Sequence, residues 1–146
     1  MVRGHGVDLV DVPRIAGMLR EHGPRFVSRT FTSAEMQTCL GRVYKGDEAR
    51  GCWPDDLIAG KKFDRAARRL AGRFAAKEAT LKALGTGMAE GMSWLDVGVD
   101  NLPTGQPFLV LGGVAAKRAE LLGITSWHLS ISDTTLWAMA SVIGQG

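Results

Sequence analysis

The chain has 146 residues, 45% hydrophobic and 23% charged, an ordinary make-up for one soluble domain long enough to bury a core. Eighteen Lys and Arg against fifteen Asp and Glu leave a net charge of +3, a mild bias toward acidic or phosphate-bearing partners and weak support for a nucleic-acid binder. No apolar run approaches the roughly twenty residues of a membrane span. The first residues do not read as a signal peptide, and Cys39 and Cys52 lack CxxC spacing, so a cytoplasmic setting is expected and a disulfide framework or zinc site is not.

Gly4 to Val12 begins with a strand in which Val7 and Leu9 point one way and Asp8 and Val10 the other. Asp8 is thus an acid inside an apolar strand, to be paired with an arginine or a backbone amide, or put to use. Asp11 before Val12-Pro13 starts a helix with proline in its first turn. Ile15, Met18 and Leu19 carry it to His22-Gly23-Pro24, and Arg25 to Phe31 is expected to be an arginine-rich connector. Thr32 and Glu35 have the spacing of a capping box, so a short helix to about Leu40 follows and Glu35 is assigned to the cap. Glycines, Pro54 and the acids Asp47, Glu48, Asp55 and Asp56 make residues 41–60 an irregular, polar loop or insertion.

A long helix starts near Phe63. Lys61, Lys62, Arg65, Arg68, Arg69 and Arg73 form a basic cluster on it, either a solvated face or a site for phosphates or an acidic protein. Leu70, Phe74, Leu81 and Leu84 recur at helical spacing as its apolar face, and Gly85 stops it. Glu78 stands at the border of that face with Lys82 one turn on. The pair reads either as an i,i+4 salt bridge or as a carboxylate for a metal beside a cation for an anion. The second alternative requires another carboxylate and an anion-binding turn. Asp8 supplies the first, and Gly85-Thr86-Gly87 is a candidate for the second, although three glycines in a loop usually mean turns. Strands at Trp94–Val99 and Phe108–Leu111, a helix from Val114 to Leu122 and a closing hairpin turning at Asp133-Thr134-Thr135 complete an α+β chain. Its mainly antiparallel sheet packs on the long helix.

Three blocks together resemble a known family: Gly6-Val7-Asp8-Leu9-Val10 with Arg14-Ile15, Arg73-Phe74-Ala75-Ala76-Lys77-Glu78-Ala79 running to Gly85-Thr86-Gly87, and Ser130-Ile131-Ser132-Asp133. They are similar to the holo-acyl-carrier-protein synthases, the short 4′-phosphopantetheinyl transferases. The resemblance spans nearly the whole chain except residues 41–60, which look longer than the family norm. It implies transfer of the phosphopantetheine arm of coenzyme A to a serine of an apo carrier protein, with release of adenosine 3′,5′-bisphosphate. It implies Mg²⁺ held by Asp8 and Glu78, with Lys82 facing the phosphates or shuttling a proton; since the attacking serine is neutral, a base must take its proton, and a metal-bound water or hydroxide poised by Glu78 is expected in that role. Arg73, Lys82, Gly85, Thr86, Gly87, Ser132 and Asp133 would line the coenzyme A site. Arg14, Arg25 and Arg29 would meet the acidic carrier protein, and a homotrimer would place active sites between subunits.

One position departs from the pattern: family members commonly carry His where Asp133 stands. Asp133 either caps the hairpin turn or adds a third carboxylate to the metal site. The rival function is a protein- or nucleic-acid-binding module built on the basic helix 61–73.

Overall fold

The computed structural model describes residues 1–54, 57, 60–89 and 91–146; Asp55, Asp56 and Glu90 lie outside the described residues. Strand β1 (Val2–Asp11) leads into α1 (Val12–Thr30), α2 (Ser33–Leu40) and, after a 3₁₀ turn at Gly46–Arg50, the long α3 (Lys61–Leu84). Then come β2 (Val97–Asn101), β3 (Pro107–Leu111), α4 (Gly113–Leu121), β4 (Ser126–Asp133) and β5 (Trp137–Gln145). Both sheets are antiparallel, one ordered β1-β5-β4 and the other the hairpin β2-β3. The α+β class and the sheet-on-long-helix packing are those expected from the sequence.

The local rules act where they were read. Asp11 caps α1 through its side chain, Thr32 and Glu35 form the capping box of α2, and Gly85 ends α3 in the left-handed conformation. The hairpin turn is held by Thr134, whose hydroxyl accepts from the amides of Leu136 and Trp137. Two expectations change. Trp94–Asp96 is a 3₁₀ turn capped by Ser93, and β2 starts only at Val97. Residues 25–30 are not a connector but the second half of α1, which resumes after a break at Gly23 (φ 53°, ψ −140°). Glycine tolerates that backbone, and Pro24 excludes the ordinary helical bond, so the helix bends rather than ends.

What positions the site is the contact of α3 with β1. A Cβ added to Gly6 would lie 1.9 Å from the carbonyl oxygen of Ala79, and one on Gly4 2.2 Å from that of Ala83. Glycine in a strand marks such a close backbone approach. Ala75, Ala76, Ala79 and Ala83 on the helix meet Ala138 and Ala140 of β5 in the same buried core. Small residues on both sides bring the helix axis close to the sheet. Leu81 and Leu84 join a second cluster with Val97, Ala115 and Ile124, which anchors the far end of α3.

Candidate active site

The close approach of β1 and α3 sets Asp8 beside the last turns of the helix. The Lys82 ammonium donates to Asp8 Oδ1 at 2.8 Å and to the carbonyl of Val7 at 2.9 Å. The partner of Asp8 is therefore a lysine, neither the arginine nor the amide that its position in the strand suggested. The i,i+4 bridge from Lys82 to Glu78 is not made: Glu78 has no ion pair within 4.0 Å among the described residues.

Partial burial, then the nearby negative charge of Asp8, raise the Glu78 pKa, while Lys82 and Arg14 pull it back. The Lys82 pKa is raised chiefly by its hydrogen bond to Asp8. The Asp8 side chain is 15% exposed and that of Lys82 is 53% exposed. Asp8, Arg14, Glu78 and Lys82 thus form one electrostatic group in which two acids repel each other and a half-exposed cation covers one of them.

That arrangement suits a divalent cation. Among the described residues no group of three or more metal-ligating side chains exists. Mg²⁺ needs only one or two carboxylates when phosphate oxygens and waters complete its shell. Burial and the neighbouring Asp8 charge disfavour the Glu78 carboxylate, and a cation placed there would offset both.

Not every predicted residue joins the group. Gly85 and Thr86 spend their backbone amides on the carbonyls of Lys82 and Leu81, an ordinary glycine-ended helix closure. Of the three loop residues, Gly87 and the buried Thr86 hydroxyl, which has no hydrogen-bond partner, remain as donors for an anion. Arg73 donates to Asn101 Oδ1 and so faces the β2–β3 hairpin. Arg25 and Arg29 lie beyond the bend of α1 and line a separate cleft.

Asp133 neither caps its turn nor approaches Glu78. It holds Arg68, with Oδ1 accepting from Nε at 3.0 Å. Arg68 precedes Glu78 by ten residues, about 15 Å along a helix, which removes Asp133 as a third metal carboxylate within this chain. Ser132 lies on the opposite, exposed face of β4. The basic cluster is likewise dispersed: Arg68 serves Asp133, Arg69 donates to the Thr38 carbonyl and Arg73 serves Asn101. Three of its six cations are thus turned to three different partners within the chain.

Sequence reasoning missed a second lysine. Lys77, fully buried, pairs at 2.9 Å with Glu35, also fully buried, and donates to the carbonyls of Trp94 and Val97. Glu35 also accepts from the Val99 amide. Its capping role is real, but the carboxylate simultaneously ties α2, α3 and β2 together. The signal was present, because Lys77 falls between Phe74 and Leu81 in the apolar stripe, where a cation requires a buried partner.

The sequence model of the 4′-phosphopantetheinyl transferase superfamily matches residues 4–134. The chain belongs to that superfamily. Holo-[acyl-carrier-protein] synthase of Koribacter versatilis is 41% identical over 143 residues, 98% of each chain. The holo-[acyl-carrier-protein] synthase structure from Neisseria meningitidis superposes over 100% of both chains with a TM-score of 0.74 and 29% identity. The enzyme of that name from Bacillus anthracis, solved with CoA (3′,5′-ADP), covers 99% of this chain and 96% of its own at a TM-score of 0.69 and 32% identity. Within the superfamily the chain therefore falls among the holo-[acyl-carrier-protein] synthases, which are transferases.

Proposed function

We propose that this protein transfers the 4′-phosphopantetheine arm of coenzyme A to a serine of an apo acyl carrier protein and releases adenosine 3′,5′-bisphosphate. The observation that carries the reading is the joining of Asp8 and Glu78, seventy residues apart in sequence, with Lys82 between strand and helix. The serine hydroxyl attacks the phosphorus that bears pantetheine, and the phosphoanhydride bond breaks with its electron pair going to the nucleotide. Glu78 accepts the serine proton directly or across one water. Lys82 is half exposed on a long side chain and can turn from Asp8 to the leaving phosphate as a point charge.

Asp8 and Glu78 would hold Mg²⁺, which when bound neutralises charge on the pyrophosphate. The Gly87 amide and the Thr86 hydroxyl are the remaining donors for the nucleotide end. Arg73 enters only as the anchor of Asn101. Arg14, beside Glu78, would steer the acidic carrier protein toward the site, with Arg25 and Arg29 extending the same charge along α1.

Val7 and Leu9 of β1 and Trp137 and Met139 of β5 are exposed together on the outer face of the sheet, with Leu9 opposite Met139. An apolar face of this kind marks a contact surface. It supports assembly into the homotrimer implied by the family, in which Ser132 on the same face would approach a neighbouring subunit's nucleotide.

The test is intact-mass measurement of an apo acyl carrier protein after incubation with coenzyme A, Mg²⁺ and this protein. The gain of one phosphopantetheine group, lost with EDTA and in Asp8→Asn and Glu78→Gln, is the expected result. No gain with any apo carrier protein overturns the assignment. Equal gain in both variants overturns the site.

A further inference from the structure

The bend of α1 is held from outside the helix, by a side-chain donor to the turn that precedes it. Pro24 has no N–H to give the Arg20 carbonyl one turn back, so the helix is weakened at this point. The indole Nε1 of the buried Trp53 donates to the carbonyl of Leu19 at 2.5 Å. The same ring lies on Gly23, where an added Cβ would stand 3.3 Å from Nε1, and Tyr44 meets it edge-on with centroids 5.3 Å apart. The extra segment between α2 and α3 is thus fastened at the one point where α1 changes direction.

That bend decides where the arginines of α1 stand. Arg14 precedes it, while Arg25 and Arg29 follow it. Beside it opens a cleft of about 860 Å³, lined by Arg20, Arg25 and Arg29 from α1 and by Arg50 from the Gly46–Arg50 turn. Glu21 is the acid on its wall, Asp47 lies 4.0 Å from Arg50, and Arg20 also stacks 4.3 Å over the Phe63 ring. The excess of guanidinium groups suits an acidic protein segment.

We propose that residues 46–53 form a strut which, through Trp53, fixes the bend of α1. The strut sets the spacing of Arg25 and Arg29 from Arg14 and adds Arg50 to the surface that receives an acidic segment of the protein acceptor. This rests on the assignment of Arg14, Arg25 and Arg29 to that acceptor. Trp53 is a positioning residue and touches no reacting atom.

Steady-state kinetics of Trp53→Phe test it, since phenylalanine keeps the ring and removes the donor. The KM for the apo carrier protein is expected to rise about fivefold, the worth of one hydrogen bond, with kcat and the KM for coenzyme A unchanged. The rise should vanish in an Arg25→Ala, Arg29→Ala background. Arg50→Ala, at an exposed side chain, should raise the carrier KM about twofold at low salt and less at high salt, and it keeps the test valid if Trp53→Phe does not fold. The same fivefold rise without Arg25 and Arg29, or a fall in kcat, would show a general structural role and overturn the proposal. An unchanged carrier KM in both Trp53→Phe and Arg50→Ala, beside a raised one in Arg14→Ala, would overturn the strut and leave the proposed function standing. An unchanged KM in Arg14→Ala as well would bring down the acceptor surface itself.

Discussion

Helix α3 carries two lysines five residues apart, each bound to a carboxylate from elsewhere in the chain, and they do opposite work. Lys77 meets Glu35 at 2.9 Å with both side chains 0% exposed; Lys82 meets Asp8 at 2.8 Å with its own side chain 53% exposed. The chemistry of the pairs is the same, and burial separates them. The Lys77 pair has every remaining donor and acceptor engaged by backbone, so neither member is free to change partner. Burial lowers the Lys77 pKa and Glu35 offsets part of that, so the buried cation depends on its partner. The Lys82 pair leaves a third charged group, Glu78, unsatisfied nearby. A saturated pair fixes a fold, whereas an unsaturated one forms a site.

The sharpest way to break this comparison is at the carboxylates of the open group. Asp8→Asn and Glu78→Gln are each expected to lower kcat by about 10²–10⁴-fold while the urea midpoint hardly moves. Loss of folding in place of activity would assign both acids to structure. Removing the closed pair should do the reverse. Lys77→Met leaves Glu35 charged and buried, at a cost of about 3–5 kcal/mol in urea unfolding, and adding Glu35→Gln should recover part of it. A Lys77→Met protein of unchanged stability would dissolve the distinction.

Gly6→Ala sharpens the comparison by attacking the spacing itself. Its methyl group would meet the Ala79 carbonyl, so strand and helix must part, at roughly 1–3 kcal/mol by analogy with overpacked cores. Activity should fall further than that loss explains, because Asp8 moves away from Glu78 and Lys82. The smallest effect is in pH. Glu78 has a folded-state pKa above its ordinary value of 4.5, so between the two values the folded protein keeps a proton that the unfolded chain releases. Its contribution therefore becomes less favourable as pH rises from about 4.5 through the raised value. Glu78→Gln should remove that slope and leave the ligand-free protein slightly more stable at neutral pH, as measured by urea titration across pH.

The open group was legible in the sequence because each member broke a local pattern: Asp8 in an apolar strand, Glu78 at the edge of an apolar stripe. Capping residues and hairpin alternation made most elements legible for the same reason, since they act over a few positions. Long-range partner choice was not legible. Lys82 could equally have served Glu78, and only the depth at which α3 lies on Gly4 and Gly6 turns it toward Asp8. Asp133 looked like a turn residue until Arg68 was seen opposite it, and Gly23-Pro24 looked like a helix end, whereas α1 resumes beyond it with Trp53 bonded to the turn before.

The glycine contact of β1 also dictates when the site comes into being. Among the described residues the strand paired with β1 is β5, with Asp8 opposite Ala140, so the first strand has no sheet to join until the last has been made. During synthesis the chain therefore carries Asp8 and α3, complete at Leu84, without a sheet to hold the strand until Trp137 and the residues after it have followed. The enzyme cannot start to work as a growing chain, and a truncation that removed β5 would leave all four charged residues present and unassembled.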